Sequence, residues 1–579
     1  MKKFLAVVMI ISTLSSLLAF FPSCKKEESE KPAEEAMNLS EYTIVRAMRA
    51  SSNLSKASTA FRNRILASTK IKLPISDDWY KEGEAPADSV KEILVGSTNR
   101  AESALAKEKL DAVEDENAFI IEVSGSKIVI LGKNDEVTVR ALKYFATNLV
   151  KASETENCLS IDAQYSYVGL ADMNTTILYD NLVEFRISEE SVVYDPGEYS
   201  TKRAIYPTMV QLNHQSDKKN NGTLLATLNS GESFYRILRS RDNGDTWEEA
   251  ARVSDTYNKD INAGRMPFIY ELPVDMGEFK KGTILLAGTS SKSDKNLTTI
   301  TLYASTDLGE SWKTLYNIDY GGGQYDGSVQ VDLGVWEPYF IYDENDGRLY
   351  CFYSDDSSSE CDQKLVYKYT TDMKNWVGKE GIKGANGSRS TPFDVVACED
   401  YDFRPGMISV VKMNNGKYFA VYDIVVYAPG RPAGVVNGIS GNPDFYKIAD
   451  SLDSWDVSDP GTLVKLEDGR YMGLSPWCTY SGTIGEAGML VVYGRKWSEK
   501  TNYDQTDLFL SFDYGETFIP FENPFKYVTS LNGKNTYCGY SPTLLFSEDG
   551  KTLYYMNNTL SGKNDQTTRI VMVQIDIIE

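Results

Sequence analysis

The feature that most restricts the fold of this chain is a two-strand unit that recurs six times after about residue 165. Each copy has a proline, an apolar strand, a turn centred on glycine and a second apolar strand. The copies read YPTMVQL…NGTLLATL, MPFIYEL…KGTILLAG, EPYFIYD…DGRLYCFYS, RPGMISVVKM…NGKYFAVYD, DPGTLVKL…DGRYMGLS and SPTLLFS…DGKTLYYMN, with turn glycines Gly222, Gly282, Gly347, Gly416, Gly469 and Gly550. Six units of this length, each with room for four strands, predict a six-bladed β-propeller over residues 166–579.

An octapeptide follows the two-strand unit in three of the repeats. It reads SRDNGDTW at 240–247, STDLGESW at 305–312 and SFDYGETF at 511–518. Its aspartate can accept hydrogen bonds from turn amides, and its glycine can adopt a left-handed conformation. Strand alternation places this turn between the third and fourth strands. The motif resembles the Asp-box, or BNR repeat, of sialidase-type propellers, which implies a structural role for its aspartates.

The prolines predict which residues surround the mouth of the central channel. Proline favours the first position of a strand and disposes the residue before it to an extended conformation. The pre-proline residues are Tyr206, Met266, Glu337, Arg404, Asp459 and Ser541. The second strands return to the same end of the propeller, near Asn229, Ser290, Asp355, Asp423, Ser475 and Asn557.

Acidic residues in this predicted ring could carry glycoside cleavage, which needs one carboxyl to protonate the leaving oxygen and another to attack or to activate water. The alternative is that such residues are solvated loop residues at blade ends. Glu337 lies between Trp336 and Pro338. Exclusion from bulk water there would raise its pKa, as a general acid requires.

Composition excludes several other functions. The net charge of −22 argues against a nucleic-acid partner, because phosphate binding needs a basic face. The single histidine, His214, lies in a polar stretch, which leaves acid–base chemistry to carboxylates. No cysteine spacing marks a metal site, so we expect no metal and no cofactor.

The N-terminus indicates export. Two lysines precede an apolar run that ends at Ser23-Cys24, and a charged stretch follows; this is a secretory signal. It resembles a bacterial lipoprotein signal (residues 1–24), which implies acylation of Cys24 and attachment to a bacterial membrane, with the outer membrane favoured. An ordinary signal peptide with an incidental cysteine is the alternative. Residues 25–40 are rich in Lys and Glu and predict a flexible tether.

Residues 41–165 predict a small α/β accessory domain. Strand patterns occur at 42–47, 92–97 and, as a hairpin, 119–132. Helical patterns occur at 55–68, 100–110 and 137–152. The domain resembles the accessory domain that precedes the catalytic domain in some hexosaminidases and α-glucuronidases.

Three segments of the propeller resemble the exo-α-1,5-arabinanases of glycoside hydrolase family 93: WEPYFIYDENDGRLYCFYSDD (336–356), DQKLVYKYTTDMKNW (362–376) and FRPGMISVVKMNNGKYFAVYD (403–423). The resemblance implies an exo-acting, retaining hydrolase with a carbohydrate substrate. It implies that Glu337 is one catalytic carboxylate. The other falls at Asp423, where the family has glutamate. Arg404 and Asp355 would bind sugar, as would Asp459, Tyr206, Arg203 and Arg265 at the mouth.

Two other functions stay open. An exo-sialidase needs arginines around the substrate carboxylate, which Arg203, Arg265, Arg404 and Arg495 could supply. A catalytically inactive, lipid-anchored glycan-binding propeller is the second alternative, because Asp423 is one methylene shorter than the family's glutamate.

Overall fold

A computed structural model describes residues 37–578, except for 153–157, 198–199, 201, 293–296, 323–333, 358–361, 385–387, 397–402, 427–438, 440, 498–505, 528, 532–533 and 562–566. Cys24 and the rest of the predicted signal and tether up to residue 36 lie outside this range. The chain forms two compact units, Met1–Ala171 and Asp172–Glu579. Among the described residues, no helix is long and apolar enough to cross a bilayer.

The first unit is an α/β domain with one six-stranded sheet. The strands are β1 Thr43–Arg46, β2 Ile75–Asp77, β3 Glu92–Val95, β4 Ala118–Ser124, β5 Lys127–Gly132 and β6 Ser166–Leu170, and the helices are α1 Ser52–Thr69, α2 Ala101–Asp111 and α3 Asp135–Asn148. The order is β2-β1-β3-β5-β4-β6, in which β4 is antiparallel to both its neighbours and the other pairs are parallel. Because β6 belongs to this sheet, the unit ends six residues later than the predicted boundary at 165.

The second unit is a six-bladed β-propeller, which confirms the predicted fold. The first blade contains β10 Ile205–Gln211, β11 Leu224–Asn229, β12 Tyr235–Ser240 and β13 Glu248–Val253, and the second contains β14 Asn262–Glu271, β15 Ile284–Ser291, β16 Thr298–Ser305 and β17 Lys313–Gly321. The third blade contains β18 Val335–Asp343, β19 Arg348–Asp355, β20 Lys364–Thr370 and β21 Phe393–Val396. The fourth blade contains β22 Phe403–Lys412, β23 Tyr418–Val426, β24 Asp444–Ala449 and β25 Thr462–Leu463. Each blade is an antiparallel sheet in sequence order, so first and third strands run in the same direction.

The remaining strands complete the ring. The fifth blade contains β27 Trp477–Ser481, β28 Met489–Tyr493, β30 Leu508–Ser511 and β31 Ile519–Phe521. Two separate two-stranded sheets are formed by β26 Met472–Gly473 with β29 Lys496–Trp497 and by β32 Ser530–Leu531 with β33 Lys534–Asn535. The sixth blade contains β34 Thr543–Phe546, β35 Thr552–Leu560 and β36 Thr568–Ile578, to which β7 Thr176–Leu178, β8 Val183–Ile187 and β9 Ser191–Tyr194 are added. Since β8 pairs with β36, strands from both ends of the unit close the propeller.

The fifth repeat was assigned wrongly from the sequence. Thr462–Leu463 of the DPGTLVKL segment forms the outermost strand of the fourth blade, and the fifth blade begins after Pro476. Asp459 is therefore not at the mouth; it is exposed in the loop before that outermost strand. The correct unit is SPWCTYS…GMLVVYG, with Gly485 in its turn at positive φ. It spaces the turn glycines 60, 65, 69, 69 and 65 residues apart, more evenly than the predicted set.

A β-bulge marks the mouth end of the first strand in the first four blades. The register shifts between Ile205 and Thr208, and equivalent shifts occur at 265–268, 336–339 and 406–409. Proline suits the first three bulges because it has no N–H to leave unpaired. The pre-proline residues Tyr206, Met266, Glu337, Ser475 and Ser541 have φ between 45° and 61°, not the extended conformation that we predicted. At Tyr206, Met266 and Glu337 the positive φ coincides with the bulge, whereas Ser475 and Ser541 adopt it without a register shift in the strand that follows.

The three octapeptides form the same turn. In the first, Asp242 Oδ1 accepts hydrogen bonds from the Thr246 amide (3.0 Å) and the Ser240 hydroxyl (2.8 Å). The Trp247 indole donates to the carbonyl oxygen of Gly244 (3.0 Å). Asp307 and Asp513 make the equivalent bonds at the corresponding hairpins. These hairpins join third to fourth strands at the end of the propeller opposite the mouth, as predicted.

Candidate active site

A cavity of about 270 Å³ opens at the mouth of the propeller, where the first strands begin and the second strands end. Its lining brings together residues from distant parts of the chain, which include Tyr206, Arg265, Met266, Trp336, Glu337, Asp356, Gln363, Arg404, Gly406, Met407, Asp423 and Tyr540. Below Glu337 the axis is filled by Phe268, Tyr339 and Trp477, whose ring centroids lie 4.6 to 6.3 Å apart. These rings line a second, smaller cavity of about 30 Å³, which shares Tyr206, Met266, Glu337 and Met407 with the first.

Glu337 is held by three hydrogen-bond donors from three segments. The Tyr206 hydroxyl donates to Oε1 (3.0 Å), and the Ser354 hydroxyl donates to Oε2 (2.9 Å). The amide of Met407 donates to Oε2 (3.1 Å); this amide lies in the bulge of β22, where no strand partner takes it. Burial raises the pKa of Glu337 above its ordinary value, although these donors oppose the rise.

Asp423 lies near the mouth end of β23 and is only 2% exposed. Its Oδ2 accepts a hydrogen bond from the Ser475 amide (3.1 Å). Burial, and then the charge of Glu337, raise the pKa of Asp423 to about 8. At neutral pH Asp423 is therefore mostly protonated, and Glu337, which has more donors, is the group that ionises first.

Arg404 and Asp356 form a buried pair on the wall of the cavity. Arg404 Nη2 donates to Asp356 Oδ2 (3.0 Å) and to Gln363 Oε1 (2.8 Å). The Trp336 indole also donates to Asp356 Oδ2 (3.1 Å). Among the described residues, Asp356 Oδ1 has no hydrogen-bond partner although it is buried. Burial raises the pKa of Asp356 to about 8, although Arg404 opposes the rise, and this oxygen is available for a hydrogen bond with a ligand hydroxyl.

Gly406 separates the two carboxyls that the sequence singled out. It pairs directly with Asp423 across β22 and β23. A β-carbon on Gly406 would lie 3.5 Å from Glu337 Oε2 and 2.6 Å from Gln363 Nε2. The missing side chain leaves space for Gln363, Ser354 and Glu337 beside the strand position that pairs with Asp423.

The structure brings together five of the predicted site residues and separates three. Glu337, Asp423, Arg404, Tyr206 and Arg265 line the cavity, and Arg265 is exposed there. Asp355 does not line it, because its carboxylate accepts from Arg389 Nη2 (2.7 Å) and from the Ser357 amide (2.9 Å). Asp459 lies elsewhere, as described above. Arg203 is also outside the lining; its guanidinium lies 4.0 Å from the ring centroid of Tyr537.

Sequence reasoning missed Asp356, Gln363 and Tyr540. Asp356 was detectable, because it follows Asp355 at the end of a strand, and alternation directs adjacent side chains to opposite faces. Gln363 lies just before β20, and Tyr540 two residues before Pro542; neither position carried a signal. Of the four arginines considered for a sialidase, only Arg265 and Arg404 line the cavity, and Arg404 already pairs with Asp356.

The described residues contain no group of three or more His, Cys, Asp or Glu side chains arranged to hold a metal ion. Cys351, Cys478 and Cys538 are buried free thiols. Cys361 and Cys398 lie outside the described residues.

Comparison with solved structures finds similar propellers. An α-L-arabinanase of Penicillium chrysogenum, solved with arabinobiose, is 27% identical, with 67% of this chain and 98% of that chain covered and a TM-score of 0.54. A GH93 α-L-arabinofuranosidase of Fusarium graminearum, also with arabinobiose, is 25% identical, with 68% and 98% covered and a TM-score of 0.53. The same Fusarium enzyme with an iminosugar inhibitor gives 0.52.

No family model matches the sequence, and no curated protein matches it significantly. The similar structures are glycoside hydrolases, and the carboxyl-lined cavity agrees with that chemistry. The chain is a glycoside hydrolase.

Proposed function

We propose that the chain is an exo-acting, arabinanase-like hydrolase that releases a short sugar from the ends of polysaccharide or oligosaccharide chains. The observation that carries this proposal is a pair of carboxyls, the half-buried Glu337 and the buried Asp423, that line one cavity at the propeller axis. The resemblance of segments 336–356, 362–376 and 403–423 to the exo-α-1,5-arabinanases supports exo action. The similarity to enzymes solved with arabinobiose supports a pentose substrate.

The two carboxyls take different roles in this proposal. Asp423, protonated at neutral pH, donates its proton to the oxygen of the leaving sugar. Glu337, ionised and aligned by Tyr206 and Ser354, attacks the anomeric carbon and forms a glycosyl-enzyme bond. Asp423 then removes a proton from water, which hydrolyses that bond with overall retention of configuration.

The remaining lining residues bind the sugar. Asp356 Oδ1 accepts from a ring hydroxyl, and the Arg404 guanidinium holds Asp356 in place. Tyr206 remains bonded to Glu337, and Arg265 contacts the substrate at the rim. Asp355, Asp459 and Arg203 have no direct role in this arrangement.

We further propose that the enzyme is exported and attached through Cys24 to the outer membrane, where a polysaccharide substrate is accessible.

The test is hydrolysis by purified protein without the first 24 residues. We expect a small sugar from debranched arabinan or a related pentose oligomer, and none from Glu337→Gln. Asp423→Asn should lose most activity on oligosaccharides but retain the first step on an aryl glycoside, whose leaving group needs no acid, while hydrolysis of the glycosyl-enzyme bond becomes slow because the base is missing. Circular dichroism controls for folding.

Activity on a sialoside without activity on pentose oligomers would contradict the proposal in favour of a sialidase. Retention on a glycan affinity gel without any product would support a binding module.

A further inference from the structure

A second buried acid, Asp444, lies beside Asp423, and the mechanism above does not use it. We propose that Asp444 is a positioning residue that stays protonated and donates a hydrogen bond to the Asp423 carboxylate formed during catalysis. This inference rests on the proposed function, because it assigns a role in the acid step.

The two carboxyls are direct cross-strand neighbours. Asp423 of β23 pairs with Asp444 of β24 in antiparallel register. Side chains at paired positions project from the same face of a sheet, with β-carbons about 4.5–5.5 Å apart. Asp423 is 2% exposed and Asp444 is fully buried. Only Asp423 lines the cavity, so Asp444 lies behind it, away from the substrate.

The surroundings of Asp444 do not suit a charged carboxylate. Among the described residues, neither of its oxygens has a hydrogen-bond partner. The amide of Leu474 is close to it but donates to the carbonyl oxygen of Asn442 (3.0 Å). A β-carbon on Gly494 would lie 2.3 Å from Asp444 Oδ2, so the carboxyl is packed against backbone. Burying an ion without donors is costly, and the protonated acid is the form that this site accommodates.

Deeper burial of Asp444 and a backbone donor to Asp423, rather than the surrounding charges, favour ionisation of Asp423 before Asp444. Arg404 attracts Asp423, Glu337 repels it, and Lys496 of β29 attracts both acids. The Ser475 amide donates to Asp423, whereas the Leu474 amide, which opposes the rise in the pKa of Asp444 by its proximity, donates its hydrogen bond to Asn442. Burial raises the pKa of Asp444 well above its ordinary value, and the charge of Asp423 raises it further. Two adjacent buried carboxyls rarely ionise together.

This order gives Asp444 a function in the acid step. When Asp423 passes its proton to the leaving oxygen, a carboxylate remains in a buried site. The Asp444 hydroxyl and the Ser475 amide then donate hydrogen bonds to it, while Asp444 keeps its own proton. A donor to a buried carboxylate stabilises the product side of the proton transfer.

The test compares two substitutions of similar size. Asp444→Asn is neutral and keeps a donor, so we expect kcat within about threefold of wild type and the same alkaline limb of the pH profile. Asp444→Leu is neutral without a donor, so we expect kcat to fall roughly tenfold and the alkaline limb to rise by about one pH unit. An alkaline limb that falls by a unit in Asp444→Asn would show that Asp444 is ionised, and would overturn the proposal. Wild-type behaviour of Asp444→Leu would overturn it as well.

A second measurement does not depend on catalysis or on folding of the leucine variant. At about one pH unit above the pKa of Asp423, which is about 8, infrared difference spectra of the wild type should retain a protonated-carboxyl band. Asp444→Asn should lose that band. Absence of the band from the wild type would overturn the proposal. If the band is present but no glycan is cleaved, the proposed function has failed, while the protonation of Asp444 stands.

Discussion

Gly406 of β22 pairs directly with Asp423 of β23 in the fourth blade. A β-carbon at Gly406 would also lie 3.5 Å from Glu337 Oε2. A β-carbon there would press on Gln363 Nε2 at 2.6 Å and Ser354 Oγ at 3.3 Å. We predict that Gly406→Ala displaces Gln363 from the Pro405 carbonyl oxygen and from Arg404, which it now contacts at 2.8 Å each. The expected result is a fall in kcat/KM of at least about tenfold.

Thermal denaturation and steady-state kinetics check this prediction together. A small change in Tm with the loss of activity would locate the effect in the cavity. Unchanged kcat/KM would contradict the idea that a side chain at position 406 disturbs Gln363 and Arg404.

The opposite protonation states of Glu337 and Asp423 predict a bell-shaped pH profile. Activity rises as Glu337 loses its proton, at a pKa above its ordinary value, and falls as Asp423 loses its own near pH 8. The profile of kcat/KM reports these groups in the free enzyme. Asp423→Asn, assayed on an aryl glycoside, should lose the alkaline fall of the first step. Persistence of that fall would assign it to another group.

Substitution of Asp307 tests whether its turn contributes to the stability of the protein without affecting catalysis. Its carboxylate accepts hydrogen bonds from the Ser311 amide (2.9 Å) and the Ser305 hydroxyl (2.8 Å) in a turn far from the cavity. We predict that Asp307→Ala lowers Tm by a few degrees while kcat/KM stays within about twofold. Asp307→Asn, which keeps one acceptor, is the matched control and should lie between. A selective loss of activity would instead indicate a catalytic role for the turn.

Asp444→Asn should also stabilise the protein at neutral pH. A raised pKa in the folded state means that folding favours the protonated acid. The resulting stability is fully present below the unfolded pKa, about 3.9, and is lost as pH rises above it. Asparagine does not ionise and avoids this loss. Calorimetry should show a higher Tm than wild type at pH 7 and a small difference near pH 4; a lower Tm at pH 7 would contradict the argument.

The sequence predicted the blades well because apolar strands and turn glycines recur, and local patterns determine them. It placed Glu337, Asp423 and Arg404 correctly because strand ends in a propeller converge. It failed at Asp459, since a two-residue outer strand and its hairpin resemble the start of a blade. It also failed at Asp355, because residue alternation, not acidity, decides which of two adjacent aspartates faces the cavity. The bulges, which free the Met407 amide for Glu337, arise from contacts that no local pattern encodes.

The pairing of β8 with β36 also has a consequence for how the enzyme is made. During synthesis, Glu337 and Asp423 are part of the nascent chain long before β36 has been made. The propeller cannot close until residues 568–578 are present to pair with β8. Loss of residues 568–578 would leave Glu337 and Asp423 in the chain but would remove the strand that pairs with β8. We therefore expect a chain that lacks these residues to be inactive, even though it contains both carboxyls.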